Sequence, residues 1–199
     1  MKHLVSDIKR HLRIWQIGLY GGIMRRMAYR VNFFLMCAGV FLQMFLSLLF
    51  FKIIFCFVNN ISGWSFNEAL LVVASYMIIE GLMWATCSYL SAISENIRLG
   101  NMDYILVKPI DSQFFVSAQK SDPEDWMRVI TAIIIFLYVV NQFDMPLEQL
   151  LLNLSYYLFF IFNAFIIIYS MTLMIKTLGF WIVKDRSLWP ITESIIKMS

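Results

Sequence analysis

Charge is scarce in this chain. Only 15% of its 199 residues are Asp, Glu, Lys or Arg, 60% are hydrophobic, and the mean hydropathy is +0.72. Soluble domains keep about a quarter of their residues charged, so this composition excludes a soluble globular protein and leaves an integral membrane protein. The length suits one membrane domain, with no room for a soluble one. Catalytic apparatus is missing too. There is no Gly-rich run ending in Gly-Lys-Ser or Gly-Lys-Thr to cradle nucleotide phosphates, no G-x-S-x-G elbow, no H-E-x-x-H pair, and no two carboxylates placed together for acid–base work. The chain is therefore not expected to be an enzyme or to hold a cofactor. Cys37, Cys56 and Cys87 are odd in number, lack C-x-x-C spacing and sit in apolar runs, as inert thiols do. His3 and His11 have no paired ligand nearby, which argues against a metal site. The cations flank apolar runs and are not interleaved with exposed aromatics, which excludes nucleic acid as a partner.

What is present is a series of apolar runs. Residues 31–51 are uninterrupted and long enough to cross about 30 Å of hydrocarbon. A second span is expected at 70–93, introduced by Ser65 and Glu68 in capping-box spacing. A third starts at Trp126, behind Asp122-Pro123-Glu124-Asp125, which reads as a helix cap, a first-turn proline and two solvated acids. It runs to about Phe143 and is interrupted only by Arg128, expected near the headgroups. The run at 147–183 exceeds one perpendicular crossing, so it must tilt, bend or leave the bilayer. The expected fold is an all-α membrane protein with four spans, divided into segments 1–30, 31–93, 94–125, 126–183 and 184–199. The first span comes too late and is too long for a signal-peptide core, so it should stay in the membrane.

Residues 1–30 place Leu4, Ile8, Leu12, Trp15, Leu19, Ile23 and Met27 in one helical stripe, with Lys9, Arg10, Arg13 and Gln16 on other faces. This is the pattern of a basic amphipathic helix at an anionic lipid surface, with Gly21 and Gly22 expected to break or bend it; a plain topogenic tail would also fit. Lys and Arg number seven in this segment and three in residues 94–120, and Lys184, Arg186 and Lys197 follow the fourth run. The other two connections, 59–68 and 144–146, have none. The positive-inside rule thus puts both ends and residues 94–120 in the cytoplasm, and makes the chain a multi-pass protein of the inner (plasma) membrane.

Residues 94–120 form the longest polar interruption, and within them Arg98, Gly100, Asp103, Leu106, Lys108 and Pro109 follow R-x-G-x-x-D-x-x-L-x-K-P, with Ile110 and Asp111 next. Gly100 can end a short helix in a left-handed conformation, and Pro109 pushes Lys108 towards an extended one. In the second span, Glu80 stands out, because a carboxylate in hydrocarbon must be protonated, hydrated or partnered. It is expected to face the interior, either as a polar group in a permeation path or as a packing contact.

The loop pattern resembles the one that follows the second span in ABC-2-type transporter permeases, in particular the small-permease branch. The resemblance extends to Tyr29, Arg30 and Phe33, and to Leu178, Gly179, Phe180 and Trp181. It implies an export permease whose energy comes from a separate ATP-binding subunit. Residues 94–120 would be the coupling loop, with Arg98, Gly100, Asp103, Leu106, Lys108, Pro109 and Asp111 as its site residues and Ile97, Tyr104, Ile105 and Leu106 as apolar anchors. A second permease, identical or related, would complete the pathway. Family members usually have six spans, so either the chain is a truncated product or the remaining pair lies in further sequence; Ile191, Ile195 and Ile196 begin a new stripe. A Phe-, Met-, Tyr- and Ile-lined pathway suits amphipathic drugs, lipids or peptides, although the same residues also suit lipid-facing surfaces. The alternative is a membrane scaffold that recruits a cytoplasmic partner and moves nothing.

Overall fold

The computed structural model describes residues 2–58, 60–61, 63–143 and 145–181, with side chains from residue 9 onward. The expectations for 184–199 lie outside these residues. All named elements are helical: α1 (Lys2–Ala28), α2 (Arg30–Phe57), α3 (Phe66–Cys87), α4 (Ile93–Arg98), α5 (Met102–Leu106), α6 (Ser112–Ala118), α7 (Asp125–Val140) and α8 (Leu147–Thr177). A 3₁₀ stretch, Ser88–Ala92, joins α3 to α4, and another, Leu178–Phe180, closes α8. Among the described residues, three helical stretches are long and apolar enough to cross a membrane: Arg30–Phe57, Phe66–Arg98 and Leu147–Phe180.

The reason these helices belong in lipid is visible in their surfaces. Only 6% of the most apolar window of Arg30–Phe57 and 11% of that of Leu147–Phe180 is buried, against 50% for Phe66–Arg98. Phe34, Phe41, Phe45, Phe159 and Phe160 all point outward. Withdrawing one such side chain from water stabilises by about 1.5–3 kcal/mol, so these rows need an apolar solvent. The chain is a multi-pass membrane protein.

The chain divides into two compact units. One comprises Arg30–Leu82 and Glu124–Phe165. Its core packs Met44 of α2 with Val73, Met77 and Ile78 of α3 and Ala132 of α7. Gly81 of α3 faces Val129 so closely that a Cβ there would come within 2.7 Å of Val129 Cγ2. The capping box forms as its spacing predicts: the Ser65 amide and hydroxyl both donate to Glu68 Oε2, at 2.7 and 2.8 Å. Tyr157 of α8 stacks on Phe136 at 4.4 Å, and its hydroxyl meets Ser75 Oγ of α3 at 2.9 Å.

The other unit comprises Met1–Tyr29, Met83–Pro123 and Ile166–Ser199. Here α1 is one continuous helix, and Gly21 and Gly22 do not break it. Its glycines serve packing instead. A Cβ at Gly18 would overlap the Ala118 carbonyl oxygen, and one at Gly22 would come within 2.5 Å of the Ser121 carbonyl oxygen. Hydrogen in place of a side chain on successive turns lets α1 lie directly on the backbone of 118–121. Its packed face is centred on these glycines, so Trp15 and Leu19 of the sequence stripe are half-buried while Leu12, Ile23 and Met27 stay exposed. Elsewhere in this unit Leu90, Ile93, Ile105 and Val116 form the core, and Ser94 Oγ donates to the Lys176 carbonyl at 3.1 Å.

Candidate functional site

The polar loop is not a disordered connection. Residues 94–120 fold into the end of α4, then α5 and α6, separated by two turns. Gly100 has φ +72°, the left-handed conformation expected of it, and its amide donates to the Ile97 carbonyl at 3.1 Å to finish α4. The second turn closes over Pro109, where the Ile110 amide donates to the Lys108 carbonyl at 2.8 Å. Asp111 then caps α6, accepting from the Phe114 amide at 2.7 Å.

The seven loop residues divide into two sets. Arg98, Gly100, Asp103 and Leu106 are exposed, and Arg98 pairs with Glu95 one turn back. Lys108 and Asp111 are engaged with the loop itself and Pro109 with α1. The Lys108 ammonium sits 4.4 Å from the Tyr104 ring centroid and 4.0 Å from that of Phe115. The Pro109 carbonyl accepts from Arg10 of α1 at 2.6 Å. Of the expected apolar anchors, Tyr104 and Leu106 are exposed and Ile97 is half-buried. Ile105, however, is 3% exposed and belongs to the core. Leu99 and Val107, at 58% and 84% exposed, stand outward instead. The signal for this was the spacing of Met102 and Ile105 on one face of α5, which leaves Tyr104, Leu106 and Val107 for the other faces.

Just past the loop, Asp122 does not cap α7. It is buried and accepts Arg26 of α1 at 2.8 Å, with Lys120 at 3.3 Å. Two cations around one carboxylate fix the end of α1 to the end of the loop segment. Glu124 is the residue before α7 and makes no side-chain cap, and both Glu124 and Asp125 are buried, so the solvated-acid reading of this stretch is corrected.

Glu80 lies in the other unit and faces its interior, 8% exposed. Its carboxylate is 2.7 Å from Arg128 of α7, which is itself buried. Arg128 also reaches Asp125 at 3.3 Å and donates to Gln43 Oε1 of α2 at 3.2 Å. A guanidinium has five donors in a fixed fork, and here it joins α2, α3 and α7. Of the two roles open to Glu80, this geometry supplies a packing contact between helices.

Among the described residues, long bare apolar helices and a folded polar loop define a polytopic membrane protein. Residues 41–199 match the family described as ABC-2 family transporter protein, and the chain belongs to that family. Its members are membrane transport permeases, not catalytic subunits. No curated protein and no solved structure matches the chain.

Proposed function

We propose that this chain is the membrane-spanning permease subunit of an ATP-driven exporter, and that residues 94–120 dock on a separate ATPase subunit. The observation that supports this is the outward face of the loop. Leu99, Tyr104, Leu106 and Val107 project from a short, internally braced element, with Arg98 and Asp103 beside them. Apolar side chains rimmed by polar ones are the usual composition of a protein interface. A braced loop can also pass on a push that a slack one would absorb.

In this reading α2, α3, α7 and α8 make four crossings. Helix α7 has 16 residues, and backbone hydrogen bonds from the amides of Asn141, Gln142 and Phe143 carry the helical run on to Phe143. That gives about 28 Å, close to the hydrocarbon thickness of about 30 Å. The cation count favours an inner (plasma) membrane orientation with the N-terminus and the loop in the cytoplasm. Two permeases, identical or related, would enclose the pathway, and ATP would be bound only by the partner. The test is affinity purification of the native gene product from its own membrane. An ATPase carrying the phosphate loop should accompany it; a chain that inserts normally but brings no such subunit would point to a scaffold instead.

A further inference from the structure

We infer that Tyr169 is a positioning residue of the transport cycle: its hydroxyl fastens α6 to α8, so that the last turns of α8 move in register with the docking loop. The inference rests on the ATPase-docking reading and adds the route by which a push on the loop enters the bilayer. Gln113 and Ser117 lie one turn apart on α6 and meet the same phenol oxygen, at 3.1 and 2.8 Å. The direction of each bond follows from the protons available. The Ser117 hydroxyl donates to the Gln113 carbonyl at 2.8 Å, which leaves its oxygen to accept the Tyr169 proton, while the phenol oxygen accepts from Gln113 Nε2. The three bonds close a ring through the α6 backbone, and each side chain has a single role in it.

A second grip lies farther along α8. Ser94 Oγ of α4 donates to the Lys176 carbonyl at 3.1 Å, one of the last carbonyls that a helix leaves without an intrahelical donor. Beside it Gly179 brings its backbone against Ser94, where a Cβ would come within 3.1 Å of both Ser94 Cβ and Oγ. Tyr169 and Lys176 are two turns apart, or about 10 Å of helix. Helices α4 and α6 thus hold α8 at two heights, and the outward side chains Leu99, Tyr104, Leu106 and Val107 belong to the segment between them. A load on that segment reaches α8 through directional hydrogen bonds, which fix register where an apolar contact could slide. Of the two grips, Tyr169 is the one made by an α8 side chain, so it can be released without touching the backbone.

The test uses the full chain with Cys37, Cys56 and Cys87 changed to Ser, purified with its ATPase into nanodiscs. A bimane label is placed at Asn101→Cys on the loop or at Met174→Cys on α8, both exposed positions. Emission is compared without nucleotide and with ATP, magnesium and vanadate. The expected result is a response at both labels in this parent chain. Tyr169→Phe, which keeps the ring and its packing, should leave the Asn101 response unchanged and cut that at Met174 about fivefold or more. Ser117→Ala/Gln113→Leu, which releases the same hydroxyl from the α6 side, should do likewise. Tyr156→Phe, an exposed hydroxyl on the same helix, should change neither response. A Met174 response of parental size in Tyr169→Phe overturns the inference while the docking reading stands, as does a silent Met174 label beside a responding Asn101 label. An ATPase absent from the purification, or silence at Asn101 in the parent chain, removes the docking reading and the inference with it.

Discussion

The Arg128 guanidinium and the Glu80 carboxylate stand 2.7 Å apart, and each residue is less exposed than a tenth of its surface, at 6% and 8%. Neither sits in the polar loop, yet both are charges withdrawn from water. Removing one partner of a buried pair leaves the other uncompensated, which costs about 3–5 kcal/mol. Glu80→Ala should therefore lower resistance to denaturation in detergent by that amount. Asp125 and Gln43, at 3.3 and 3.2 Å from Arg128, recover only part of it. Glu80→Gln keeps a hydrogen-bond acceptor and should cost less. Equal stability of wild type and Glu80→Ala would show that the pair does not hold the helices together. If Glu80→Gln changes which cargo is moved at unchanged stability, the carboxylate belongs to the pathway instead.

The glycines of α1 give a graded test of its close approach. Gly18→Leu and Gly22→Leu drive a side chain into the backbone at Ala118 and Ser121, whereas a Cβ at Gly21 meets nothing within 4 Å. Overpacking costs about 1–3 kcal/mol, and glycine to alanine in an exposed helix gains up to about 1 kcal/mol. Thermal unfolding in detergent should thus rank Gly21→Ala at or above wild type and both leucine variants below it. If all three behave alike, α1 does not rest on 118–121.

These residues also mark where sequence reasoning reaches and where it stops. The Ser65–Glu68 box and the left-handed Gly100 were legible because partner and signal lie within one turn of each other. Gly22 and Asp122 were misread as a helix breaker and a helix cap for the opposite reason. The partner of Gly22 is Ser121, and the partner of Asp122 is Arg26, 96 residues away in sequence. Local rules assign such residues a local role when nothing nearby contradicts them. Arg128 is a related case: Glu80, its partner on α3, could not be inferred from spacing. The apolar runs and the polar loop were legible because they depend on composition, not on pairing.

Asp122 should matter more than either cation it holds. Arg26 at 2.8 Å and Lys120 at 3.3 Å both converge on its Oδ1, with Arg26 the less exposed of the two cations. Hydrogen bonds to charged groups are worth about 1.5–3 kcal/mol. Asp122→Ala should lose that amount, Arg26→Ala most of it, and Lys120→Ala little. Reversing the pair as Arg26→Asp/Asp122→Arg should restore part of what each single reversal loses. A double variant no better than the worse single one would mean that the two residues act separately. Chemical denaturation with helix content as the signal reads all six variants.

The docking proposal makes its sharpest forecast at Val107 and Ile105, two residues apart on α5 and its C-terminal turn. Val107 is 84% exposed and Ile105 3%, so a polar group at 107 removes no internal packing whereas truncation at 105 opens a cavity. Val107→Asp should therefore insert and unfold like wild type. In a docked interface, however, it places an unpaired carboxylate among apolar groups, and retention of the ATPase on purification should fall about tenfold or more. Asp103→Ala, also exposed, should uncouple ATP hydrolysis from transport at normal expression. Gly100→Ala must hold φ +72° against a Cβ at a cost of about 1–2 kcal/mol, and is expected to act in the same direction by shifting the turn that orients α5. Ile105→Ala serves as the contrast, losing about 2–5 kcal/mol of stability before any effect on docking can be read. If Val107→Asp and Asp103→Ala both retain the ATPase and transport normally, the partner is not held by this face.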